Sequence, residues 1–148
     1  MSHVVTSVKV QIEASAQHVW DVLVDYARYP EWNPYTVRVE TTLEIGSPIE
    51  LTLPSYDGSG AMLVSREFIR EVDPPRHLRY DNEGEVPGVV GSRDQWITPL
   101  GPNRCTYVTT DTLSGEHAEL AIELTGEWMK AGFDAVAEAL KVRAEALV

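Results

Sequence analysis

Polar and apolar residues alternate from the first residues of the chain. Val4, Thr6, Val8, Val10 and Ile12 fall on one face, and Ser7, Lys9, Gln11 and Glu13 on the other. A period of two predicts a half-buried strand over Val4–Glu13. Ser15 can then cap a helix from Ala16 to Tyr26, where Val19, Trp20, Leu23 and Tyr26 recur at helical spacing. Pro30 and Pro34 bracket a turn, Tyr29–Tyr35, with room for one turn of a second short helix.

Strand patterns follow in quick succession. They cover Val37–Leu43, Ile49–Leu53, Met62–Val72, His77–Asn82, Ser92–Thr98 and Arg104–Leu113, and the turn-prone run Pro99–Asn103 joins the last two. Seven evenly spaced strands with short turns predict one antiparallel sheet. The period then changes to 3.6 over Ala118–Ala146. Ile122, Met129, Phe133, Val136, Leu140 and Leu147 share one side, and Leu120, Leu124, Trp128, Ala131, Ala135, Ala139 and Val142 an adjacent one. So wide an apolar arc predicts a long helix lying in the concave side of a curved sheet. Gly126 and Gly132 lower helix stability and predict a kink or a close contact there.

The chain has 148 residues, 43% hydrophobic and 24% charged, which fits one globular domain spanning 1–148 with a single core. Carboxylates outnumber Lys and Arg 23 to 12, giving a formal net charge of −11. That balance opposes nucleic acid and anionic membrane surfaces alike. No apolar run approaches the ~18 residues that span a bilayer, so no stable membrane insertion is expected. Cys105 is the only cysteine, which rules out an internal disulfide and points to a cytoplasmic, reducing location. Monomer and homodimer both remain open.

Recognisable catalytic or cofactor motifs are absent. His3, His18, His77 and His117 have no metal-like spacing, and no nucleophile elbow, phosphate loop or dinucleotide fingerprint occurs. The expectation is no metal and no cofactor. Cys105 reads as a small strand residue, since nothing marks a base beside it.

The order strand, short helices, six strands and long terminal helix resembles the START-like (SRPBCC, helix-grip) superfamily. Val19–Tyr26 followed by Tyr29–Tyr35 resembles the helix and turn of its polyketide cyclase/dehydrase-type members. Glu71–Leu78 resembles their turn between middle strands, and Asp111–Gly115 their last strand and the glycine before the long helix. Together these landmarks span nearly the whole chain. The glycine-rich, lysine-ending loop of the pollen-allergen branch is missing, for Tyr56–Gly60 has no lysine. The resemblance implies an α+β helix-grip fold: a seven-stranded curved antiparallel sheet around the C-terminal helix, two short helices after strand 1, and a deep apolar cavity. Members bind lipids, sterols, polyketides or hormones, and some catalyse cyclisation, dehydration or hydrolysis, so fold alone leaves the chemistry open.

Four tryptophans and six tyrosines suit such a cavity, whose typical volume is roughly 300–1,000 Å³. The candidates for lining it are Trp32, Tyr35, Phe68, Tyr80, Trp96, Tyr107, Leu120, Leu124 and Trp128, each with plain core packing as the alternative. The Met62 strand carries charge on both faces, so its inward side stays open. Arg66 facing Asp94 or Asp111 would form a polar spot in an apolar pocket, able to orient a carbonyl or act as an acid–base pair. The alternative is an outward, solvated cross-strand pair. Arg66, Asp94, Tyr107 and Asp111 are therefore the first catalytic candidates.

The expected function is binding, carriage or sequestration of a hydrophobic small molecule such as a polyketide or lipid. The alternative is a cofactor-independent polyketide cyclase, aromatase or dehydratase working in the same cavity. A third reading, a protein-interaction module, predicts an apolar outer sheet face. Lys9, Arg38, Glu40 and Glu50 argue against it.

Overall fold

A computed structural model describes residues 2–148. Its strands are β1 (His3–Thr6), β2 (Val10–Ile12), β3 (Arg38–Thr41), β4 (Pro48–Pro54), β5 (Met62–Asp73), β6 (His77–Asp81), β7 (Val90–Gly101) and β8 (Arg104–Ser114). All pairings are antiparallel, in the order β1-β8-β7-β6-β5-β4-β3, and β2 also pairs with β8. The curved, open sheet holds the long helix α2 (Ala118–Ala146), the helix-grip arrangement. Between β2 and β3 lie α1 (Ala16–Leu23) and a 3-10 helix (Tyr26–Glu31). Ser15 caps α1 by accepting from the His18 amide at 3.1 Å.

Two bulges decide which residues face inward. The strand expected over Val4–Glu13 is broken: Thr6 pairs with Thr110 but Val10 with Tyr107, so one extra residue sits on the first strand. Alternation therefore changes phase. Val5, Ser7, Val10 and Ile12 are buried, whereas Val4, Thr6 and Val8, expected on the inner face, are exposed. The sheet has eight strands rather than seven for this reason. A second shift falls between Ile69 and Glu71 on β5. Before it Ser65 and Glu67 line the interior and Ile69 is buried, and after it Val72 packs on the core. This phase change is why neither face of β5 reads as wholly apolar.

Helix α2 packs on β1, β2, β8 and α1. It also shields the sheet edge beside β2: Asp134 accepts from the Val8 amide (2.7 Å), Lys141 donates to the Gln11 carbonyl (2.6 Å), and Glu145 accepts from the Glu13 amide (2.9 Å). A strand edge with unsatisfied groups is thus covered by three side chains of one helix. Met129, Phe133, Val136, Ala137, Leu140 and Ala144 form its buried stripe. The adjacent apolar side instead meets solvent, with Leu120 54% and Leu124 59% exposed. At Gly132 an added Cβ would lie 2.3 Å from the Tyr35 ring, so this glycine is what lets the ring rest against the helix backbone.

Candidate functional site

The buried side chains fall into two clusters. One spans α1, the lower sheet and Leu140, and the other gathers Val5, Tyr35, Leu113, Ala118, Met129, Phe133 and Val136. A half-open cavity of about 190 Å³ draws its walls from both. Tyr35, Trp128, Met129 and Phe133 form one side, and Leu51, Leu53, Tyr80, Val89 and Leu113 the other. Tyr35 packs against Trp128 and Phe133, with ring centroids 5.1 and 5.6 Å apart. These rings narrow the space below the roughly 300–1,000 Å³ common for ligand pockets. An engineered apolar cavity of about 150 Å³ accepts benzene, so the volume suits one ring with a small substituent. A larger groove, about 620 Å³, runs along the surface between β1 and α2 past Val4, Ile122 and Lys130. It is open to solvent and shallow.

The cavity floor is charged. Arg93, Glu67 and Asp111 all line it. Arg93 is buried, donates through Nε to Thr109 Oγ1 (3.1 Å), and sets its guanidinium 4.5 Å from the Phe133 centroid. Burial works against its charge, but the surrounding tyrosines and Asp111 more than offset this, so it stays cationic. Burial, then Asp111, pushes the Glu67 carboxyl up to about 8, against the opposing effects of Ser65, donating at 3.1 Å, and of the Arg93 charge. Burial likewise raises Asp111 to about 6 against the opposing pull of Arg93. Asp111 Oδ1 is sealed from solvent and has no hydrogen-bond partner among the described residues. At neutral pH the floor therefore holds a protonated acid (Glu67), a carboxylate (Asp111) and a cation (Arg93).

Residues 3–145 match the family model described as polyketide cyclase / dehydrase and lipid transport. The chain belongs to this family. No curated protein sequence matches it. Among solved structures it is similar to a START superfamily protein from Mycobacterium smegmatis, with 20% identity, 99% of both chains covered and a TM-score of 0.71. It is also similar to the Zhui aromatase/cyclase from Streptomyces sp. R1128 (23% identity, 98% of this chain and 94% of that one, TM-score 0.75). Norcoclaurine synthase from Thalictrum flavum shares 15% identity over 99% of this chain and 96% of that one, with a TM-score of 0.70. At such identities the likeness speaks for the fold.

Within this START-like frame, Tyr35, Tyr80, Asp111 and Trp128 stand in the cavity wall. The other sequence candidates lie elsewhere. Arg66, Phe68 and Asp94 point to the outer face because inward positions on β5 and β7 belong to their neighbours. Arg66 lies 4.0 Å from Glu85 and 5.6 Å from the Phe68 ring, and Arg70 also lies 5.6 Å from that ring. Asp94 binds His77 (2.5 Å) and Arg79 (2.8 Å). Trp96, 39% exposed, stacks on His77 at 3.7 Å. The proposed inward pairing of Arg66 with Asp94 or Asp111 is thus replaced by outward pairs. Trp32 packs on Tyr29 at 5.1 Å. Tyr107 is fully buried and donates to Gln95 Oε1 (2.6 Å), while Gln95 Nε2 donates to Tyr80 (3.3 Å), so Tyr107 acts beneath the cavity rather than in its wall. Leu120 and Leu124 are too exposed to line it.

Glu67 and Arg93 are the polar groups that sequence reasoning missed. A signal existed: Glu67 shares a face with Ile69, and Arg93 with Ile97.

Among the described residues no three His, Cys, Asp or Glu side chains gather as a metal site needs, and no helix is long and apolar enough to cross a membrane.

Proposed function

We propose that this chain binds a small, largely apolar molecule bearing one polar group, held between the Trp128–Tyr35 wall and the Arg93–Asp111 floor. The observation that carries this reading is the Asp111 carboxyl group, which lines the aromatic-walled space and whose Oδ1 has no hydrogen-bond donor among the described residues. Burying such an atom unpaired costs roughly 1–3 kcal/mol or more, and a ligand donor would recover that cost. Carriage or sequestration of the molecule then needs no further machinery. The strong acidic balance speaks against nucleic acid as a partner, and the buried lone Cys105 fits a cytoplasmic setting in which one domain acts as monomer or homodimer. Titration calorimetry with benzyl alcohol tests the reading. Saturable binding that Ser65→Phe abolishes by filling the cavity supports it, and binding unaffected by that change refutes it.

A second reading has its own support. Glu67, held protonated at neutral pH, and Asp111, ionised there, are poised as acid and base across one cavity. An enolisable β-hydroxy ketone could lose its α-proton to Asp111 and its hydroxyl, protonated by Glu67, as water. This is the cofactor-independent dehydratase or cyclase chemistry of the family, with Glu67 and Arg93 taking the place of Arg66 and Asp94 as candidates. Turnover lost in both Glu67→Gln and Asp111→Asn, with binding retained, would distinguish it from simple carriage.

A further inference from the structure

The cavity floor carries more acidic groups than basic ones. Glu67 and Asp111 place two carboxyl groups beside the single cation Arg93. Arg93 is already engaged with Thr109 and the Phe133 ring, so it does not reach Asp111 Oδ1. The walls facing this floor include the aromatic rings of Tyr35, Tyr80 and Trp128, whose π-faces attract cations as well as apolar carbon.

A second observation, independent of the floor, concerns the approach. Three segments bring residues to the cavity rim: the β4–β5 loop after Leu53, the β6–β7 loop between Asn82 and Val89, and the start of α2 leading to Trp128. The first carries Asp57, the second Glu83 and Glu85, and the third Glu116, Glu119 and Glu123. No lysine or arginine occurs in residues 54–61, 82–89 or 114–129. Arg66, outside these segments, lies 4.0 Å from Glu85, and the only basic group within them is His117, 3.5 Å from Glu116. A rim of one sign around a low-dielectric cleft concentrates ligands of the opposite sign and speeds their entry.

Resting on the ligand-binding reading above, we propose that the polar group of the ligand is a protonated amine, so that the cavity selects a small aromatic or apolar ammonium ion. The ammonium donates to the Asp111 carboxylate and to the carbonyl oxygen of the Glu67 carboxyl, and the ring to which it is attached lies against Tyr35 and Trp128. Charge-assisted hydrogen bonds of this kind are about twice as strong as neutral ones.

A charge series of near-equal shape tests this on the wild-type protein: benzylamine, benzyl alcohol and benzoate, titrated by calorimetry at pH 7. Benzylamine is expected to bind about ten-fold or more tighter than benzyl alcohol, with benzoate weakest. In Asp111→Asn the amine should fall to the level of the alcohol, while the alcohol itself is little changed. Should that variant fail to fold, the wild-type series decides alone. Benzyl alcohol or benzoate matching the amine overturns the ammonium proposal and leaves the cavity reading standing. If none of the three binds, the cavity reading falls and this proposal with it.

Discussion

Asp111 lies directly opposite Arg93 across the β7–β8 ladder, yet the guanidinium turns to Thr109 and the Phe133 ring and leaves Asp111 Oδ1 without a donor. Opposed charges on neighbouring strands would normally close on each other. Here they do not pair, and this unpartnered carboxyl in the cavity lining is the feature from which the functional reading is built.

The pH dependence of stability follows from Glu67. Its folded value of about 8 lies above the ordinary 4.5, so the folded state favours the protonated acid. The contribution is fully present below about pH 4.5 and is lost as pH rises through 8. Gln mimics the protonated form and escapes this loss. Urea unfolding should therefore show Glu67→Gln close to wild type at pH 5 and more stable by roughly 2–4 kcal/mol at pH 8.5. An equal gap at both pH values would show that Glu67 is not held protonated.

Gly132→Ala places a methyl group where the Tyr35 ring now lies. Either the ring or the helix must move, at a cost of about 1–3 kcal/mol. Thermal unfolding should register that loss, and affinity for benzyl alcohol should fall with it because Tyr35 forms the cavity wall.

Asp94 provides the contrast. Its carboxylate is buried on the outer face between His77 and Arg79, remote from the ligand space. Asp94→Ala should cost about 1–3 kcal/mol of stability while leaving benzyl alcohol affinity within about two-fold of wild type.

Much of this could be read from residue order. The 2.0 and 3.6 periods placed the sheet and the long helix, and the landmarks from Trp20 to Gly115 pointed to the family. The inward faces were harder. A single extra residue near Val8 and another near Arg70 each reverse alternation, and nothing in the local composition marks either bulge. Aromatics posed a second problem, since Trp32, Trp96 and Trp128 look alike as large apolar residues. Only tertiary contact sends the first to Tyr29, the second to His77 on the outer face and the third to the cavity. Glu67 and Arg93 were legible only through the company of Ile69 and Ile97.

Tyr107 anchors the floor from below. Removing its hydroxyl leaves Gln95 Oε1 buried without its 2.6 Å donor. Tyr107→Phe should lower stability by about 1–2 kcal/mol, read by urea unfolding, and should weaken ligand binding only through the Gln95–Tyr80 contact above it.

The most direct measurement is an amide and indole NMR titration of the wild-type protein with benzyl alcohol. Saturable shifts centred on Tyr35, Gly91, Arg93, Asp111 and the Trp128 indole are the predicted result. Shifts confined to Val4–Thr6 and the Ile122–Asp134 face of α2, or no shifts at all, would contradict it.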